Sequence, residues 1–211
     1  MTTHESTETS APVIPLRAII AFIVLAMGLA WALALPLWLG DGLATPLAVL
    51  LLPVLMDTPA VALLIVLFGM RPIPKGQRLR FLGMWPLQPA KRVIGMSVLG
   101  LFGPVVVVIA AMLLAVAFGW LQADFAGLSG FSQMLAQSLP AGVELPSPWL
   151  PLAVQLASIP FAAATINALA AFGEEVGWRG FLVPALRRYG TWPALLISGV
   201  VWGLWHSPLI L

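Results

Sequence analysis

Five stretches of this chain, each about 20 residues or longer, are almost free of charge, and they constrain its fold more than any other feature. They run from about Ala18 to Leu39, Leu43 to Met70 and Val93 to Trp120, with a fourth beginning near Trp149 and a fifth from Trp192 to the end. A backbone in hydrocarbon must satisfy its own hydrogen bonds, so segments of this kind span a bilayer as helices. The expected fold class is all-α: a polytopic integral membrane helical bundle with about five transmembrane helices. Of 211 residues, 61% are hydrophobic and 9% charged, whereas soluble domains carry about 25% charged residues. That balance excludes a soluble enzyme, a disordered chain and a nucleic-acid-binding domain. The sequence has no cysteine, which excludes disulfides, thiolate catalysis and cysteine-ligated metal.

Residues 1–16 read as a disordered cytoplasmic tail and residues 17–211 as one membrane domain. Ala32-Leu33-Ala34 resembles a signal-peptide cleavage site. Its flank, however, carries Glu5 and Glu8 with Arg17 as the one base, so the segment is read as a retained anchor. Orientation follows from the ten Lys and Arg residues. Arg17 precedes the first span; Arg71, Lys75, Arg78, Arg80, Lys91 and Arg92 lie between the second and third; Arg179, Arg187 and Arg188 follow the fourth. The other connections carry only Asp41, Asp124 and Glu144. Bases are retained on the cytoplasmic side, so the N-terminus is expected inside and the C-terminus outside. Trp120 and Trp149 then fall at outer boundaries, where interfacial aromatics sit.

Three places put ionisable groups where lipid is expected. Asp57, before Thr58 and Pro59, suits a cap on a helix that restarts within one kinked second span. The other two are the run Gly173-Glu174-Glu175-Val176-Gly177-Trp178-Arg179-Gly180 and the run Val201-Trp202-Gly203-Leu204-Trp205-His206. A charge at mid-bilayer costs about 2.5–3.5 kcal/mol on insertion scales, so such residues mark a cavity or a reaction site. Glu174 lies 16 residues before Gly190 and His206 lies 16 residues after it. A helical hairpin turning at Gly190 therefore brings both to nearly one depth, roughly 20 Å from the turn. One helix from Trp149 to Arg188 would be about 60 Å long. Pro160 is the expected break, leaving a spanning helix from Phe161 to Arg188 and a hairpin over 161–211.

Helical phase separates the roles. Glu175 and Arg179 are i and i+4, a pairing geometry, while Glu174 points about 100° away and can face the partner helix. A structural ion pair and a packing histidine are the plain alternative. Trp178, Trp202 and Trp205 are expected to wall a cavity and pack helices. There is no His-Glu-x-x-His, and a zinc site needs three or four ligands. Glu174, Glu175, His206 and distant Asp57 are the membrane residues able to contribute; His4 lies in the tail. The set suits a water activated by a carboxylate, with His206 polarising a carbonyl: hydrolysis of an amide or ester.

Glu174-Glu175-x-x-x-Arg179, followed by aromatic-x-x-x-His ending at His206, resembles the CPBP intramembrane protease family of CAAX prenyl endopeptidases and bacteriocin-processing, Abi-type proteins. The likeness covers roughly Phe161 to Leu211. It implies a helical protease in the membrane, with Glu174 as the base, and with Glu175, Arg179 and His206 at the other motif positions. It leaves a divalent metal such as zinc open, with Glu174 and His206 the only plausible ligands. It also implies a peptide or prenylated-protein-like substrate reached from the lipid bilayer, in the plasma membrane of a prokaryote. The family's later His-x-x-x-Asn motif has no counterpart here, since His206 is five residues from Leu211. The hairpin is thus expected to be C-terminally incomplete and the 211-residue chain alone weakly active or inactive. The alternative is a non-enzymatic immunity or partner-binding protein that retains the scaffold.

Overall fold

A computed structural model describes residues 12–139 and 147–210. Most of the predicted tail, Glu144 and Leu211 lie outside the described residues. Among the described residues the chain is helical, with no strand. Five helical stretches are long and apolar enough to cross a membrane: Leu16–Trp38, Ala48–Gly69, Ala90–Ala117, Trp149–Tyr189 and Thr191–Ile210. The chain is a polytopic integral membrane protein, and its five spans fall where the apolar stretches put them.

Contacts divide it into two units, residues 1–88 with 169–211, and residues 89–168. In the first unit, helix α1 (Leu16–Trp38) packs against α3 (Thr58–Gly69). One residue per four of α1, Ala18, Phe22, Ala26, Ala30 and Ala34, is fully buried. Lipid tails are as apolar as leucine, so helices associate in membranes by close packing of small residues, which this stripe supplies. Ile14, inside the predicted tail, is also buried, and Arg188 donates to its carbonyl at 2.9 Å. Packed structure therefore begins before α1.

The second span is α2 (Ala48–Met56) and α3, separated by the single residue Asp57. The expected side-chain cap is not made. Asp57 keeps near-helical angles, φ −85° and ψ −8°, rather than the extended N-cap geometry that swings a carboxylate over the N2 and N3 amides. The Thr58 hydroxyl turns back instead and donates to the Leu55 carbonyl at 2.8 Å. At the other end of α3, Arg78 of the short helix α4 (Arg78–Phe81) donates to the Leu67 carbonyl at 2.9 Å. It covers one of the carbonyls that a helix end leaves free.

In the second unit, α5 (Ala90–Ala117), α6 (Ser129–Ser138) and α7 (Trp149–Ala164) follow one another. Ahead of α6, the amides of Gly127 and Ala126 donate to the Asp124 carboxylate at 2.7 and 3.2 Å and hold its pKa below the usual carboxylate range. The break expected at Pro160 lies elsewhere: α7 runs through that proline and ends at Thr165, with φ −119° and ψ −93°. Proline removes one backbone bond, which a helix can absorb as a bend. Thr165 donates its hydroxyl to the Phe161 carbonyl at 2.7 Å, a back-bond that bends helices, and there the regular backbone stops.

Helix α8 (Ile166–Glu175) leads into a π-helical segment, Val176–Leu182, then the short α9 (Val183–Leu186) and a 3₁₀ turn, Arg187–Tyr189. Gly190, at φ +107°, reverses the chain into α10 (Thr191–Ile210), at the turn that the hairpin reading requires. Two glycines of this arm touch α3. A Cβ on Gly177 would lie 2.5 Å from Pro59 Cβ and 3.0 Å from its carbonyl carbon; one on Gly173 would lie 2.9 Å from Asp57 Cα. Gly177→Ala is therefore expected to destabilise the protein by about 1–3 kcal/mol through overpacking. Gly199→Ala, where a Cβ meets nothing within 4 Å, should be neutral or stabilising by up to about 1 kcal/mol. Thermal unfolding in detergent distinguishes the two.

Candidate functional site

Glu174 is buried, at 8% exposure, one residue after the contact between Gly173 and α3. Its Oε1 accepts a hydrogen bond from Trp202 Nε1 of α10 at 2.5 Å. Glu175 points elsewhere, as the phase argument requires, and pairs with Arg179 at 3.1 Å. That pair is about half exposed, 47% for Arg179 and 52% for Glu175, so it is no buried structural ion pair of the protein interior. The two arms of the hairpin do meet at the depth of Glu174, through Trp202. Trp202 stands one turn before His206 on the same helix.

Trp202 is the residue that joins the others. Its indole N–H serves Glu174, the Arg179 guanidinium lies over its ring at 4.7 Å, and its edge meets the His206 ring at 4.9 Å and 89°. Its backbone carbonyl lies 2.9 Å from His206 Nδ1. A carbonyl can only accept, so Nδ1 carries the proton of that bond. Nε2 is then the ring atom left for chemistry. As a neutral ring it offers a lone pair; as an imidazolium it offers an N–H. Trp202 was expected to wall a cavity and pack helices, and its spacing to His206 could not reveal a bond to a carboxylate 28 positions upstream.

The other two tryptophans do pack. Trp205 is buried, meets Trp178 edge-on at 5.9 Å and His206 at 4.7 Å, and donates its Nε1 to Thr58 Oγ1 at 3.1 Å. Trp178 is buried against Phe22, rings 5.3 Å apart. Asp57, distant in sequence, is adjacent in space: its carboxylate lies against Gly173, with a Cβ there 3.0 Å from Asp57 Cγ. The sequence carried one signal for this approach, the Gly-x-x-x-Gly spacing of Gly173 and Gly177, a close-packing pattern of membrane helices.

A zinc site draws three or four ligands. Among the described residues no group of three or more His, Asp or Glu side chains converges on one point. Glu174 and His206 supply two donors, so this set falls short of a zinc site.

Fold and site together define a helical integral membrane protein with carboxylate, guanidinium and imidazole gathered around one tryptophan between membrane helices. Residues 149–211 match the family model described as type II CAAX prenyl endopeptidase Rce1-like. A stretch of 43 residues is 49% identical to "CAAX prenyl protease 2" of Methanococcus maripaludis, covering 20% of this chain and 16% of that protein. The chain thus matches about one sixth of the length of its curated relative. No solved structure matches. The two matches support a CPBP family protein, as the Glu-Glu-x-x-x-Arg and aromatic-x-x-x-His motifs suggested.

A hydrogen bond to a charged group contributes about 1.5–3 kcal/mol. Trp202→Phe keeps the ring under Arg179 and loses the N–H, so it should lower stability by about that amount. A double-mutant cycle of Trp202→Phe with Glu174→Ala checks it. A coupling of about 1 kcal/mol or more is expected, whereas additive effects would mean the bond contributes nothing.

Proposed function

We propose that the chain is an intramembrane endopeptidase of the CAAX type, acting on a peptide or prenylated protein held at the membrane. The observation that supports this reading best is the single hydrogen-bonded group of Glu174, Trp202 and His206 between two membrane helices. The match of residues 149–211 to prenyl endopeptidases adds the substrate class. We place the protein in the plasma membrane of a prokaryote with its N-terminus cytoplasmic, on the side where nine bases besides Arg179 lie in the connections or at span ends.

In the proposed reaction one oxygen of Glu174 stays fixed by Trp202 while the other takes a proton from water. The water oxygen bonds to the peptide carbonyl carbon and the carbonyl electron pair moves to oxygen. The imidazolium form of His206 donates from Nε2 to that oxyanion, the role left open to it once Nδ1 is tied to the Trp202 carbonyl. Collapse of the intermediate breaks the C–N bond, and Glu174 delivers its proton to the leaving nitrogen. Arg179, paired with Glu175 and lying over Trp202, holds the tryptophan in place.

The test is cleavage of a membrane-anchored prenylated peptide by membranes expressing the gene, with Glu174→Gln and His206→Ala beside the native protein. Each substitution is expected to lower kcat by about 10²–10⁴-fold. Full activity in both variants would remove these residues from the mechanism, whereas no cleavage by the native protein would leave the scaffold as a non-enzymatic partner-binding protein.

A further inference from the structure

Asp57 is the one ionisable residue of the second span, Ala48–Gly69, and it takes no part in the hydrogen-bonded group around Trp202. It stands at the start of α3 without capping it, and among the described residues its carboxylate has no hydrogen-bond or ion-pair partner. Its surface is exposed rather than covered by the rest of the chain. A carboxylate within a membrane span is costly, and one that no protein group compensates is expected to serve a ligand.

Two separate contacts fix where it stands. Its side chain lies against Gly173, the residue before Glu174. The next residue, Thr58, accepts the hydrogen bond of Trp205, the residue before His206. The step from Asp57 to Thr58 is therefore wedged against both arms of the hairpin, one residue ahead of each group assigned to catalysis. No neighbouring donor bonds to it: the Trp202 N–H serves Glu174, the Trp205 N–H serves Thr58, Arg179 pairs with Glu175, and the buried Trp178 N–H has no partner among the described residues. Whatever satisfies Asp57 must bring its own donors. An extended peptide does, because its backbone N–H groups are as poorly off in hydrocarbon as the carboxylate is. An ester or an acyl chain has no such group.

We propose that Asp57 is a substrate-positioning residue of this site, its carboxylate accepting hydrogen bonds from the backbone N–H groups of the peptide. The proposal rests on the endopeptidase reading for the identity of the ligand. It assigns Asp57 to binding and leaves the bond-breaking to Glu174 and His206.

The experiment uses the full chain in nanodiscs and two probes: a membrane-anchored peptide, and the same peptide with its backbone amides N-methylated around the scissile bond. Native protein is expected to bind the unmethylated peptide at least about tenfold more tightly, the discrimination a charge-assisted hydrogen bond supplies. Asp57→Leu should bind both peptides equally, at the weaker affinity. Asp57→Asn keeps the shape and a neutral acceptor and should fall between, raising KM with kcat within about twofold of native, as loss of uniform binding requires. Undiminished discrimination in Asp57→Leu, or a loss of kcat in Asp57→Asn with KM unchanged, would overturn the proposal. Asp57-dependent binding without any cleavage by native protein would uphold it while sinking the endopeptidase reading. Cleavage that ignores Asp57 would do the reverse.

Discussion

The approach of Gly173 and Gly177 to Asp57 and Pro59 is the contact on which the rest of the site depends. With no side chain at either glycine, the arm carrying Glu174 comes within van der Waals distance of the backbone at the start of α3. Helices in a bilayer gain little from excluding water, so close packing and interhelical hydrogen bonds must hold them together. The alanine stripe of α1 does for α3 on one side what the two glycines do on another. Once those backbones are close, Thr58 is within reach of Trp205 and α10 is drawn in as the third wall.

That arrangement determines how the polar groups are satisfied. Each carboxylate of the Glu pair has one donor, the indole of Trp202 for Glu174 and the guanidinium of Arg179 for Glu175. The indole has a long apolar body and a single N–H, so it can line a hydrocarbon-facing wall and still hold a carboxylate. The π-helical segment directly after Glu175 carries Gly177, Arg179 and the buried Trp178 and Phe181 within seven residues. Wider i→i+5 turns of this kind recur at functional sites, where they re-aim side chains that a regular helix would misplace.

Much of this was legible in the sequence. The five spans, the hairpin turning at Gly190 and the division of labour between Glu174 and Glu175 follow from hydrophobic length, one glycine and a 100° phase difference. The break near Thr165 was not, because Pro160 is the stronger helix breaker in sequence and only the local backbone shows that the helix absorbs it. The cap at Asp57 was misread because residue type favours a cap, whereas the backbone angles that permit one are a property of the fold. Trp202 was underrated for a related reason. An indole N–H is a donor wherever it stands, and its acceptor, 28 residues away, is chosen by packing.

The same tryptophan explains why the two proposed catalytic groups need not touch. Glu174 meets α10 at Trp202, and His206 follows one turn on, about 5.4 Å along the axis. A base that takes a proton from water and a donor that receives an oxyanion act on different atoms of one tetrahedral centre, with the reacting carbon between them. Direct contact between carboxylate and imidazole would neutralise both as an ion pair and leave no room for water or substrate. Trp202 is bonded to each group, by its N–H to Glu174 and by its carbonyl to His206, and so links them without requiring their contact. In the proposed hydrolysis, Trp202 is therefore the residue that would set the width of the gap between base and oxyanion donor.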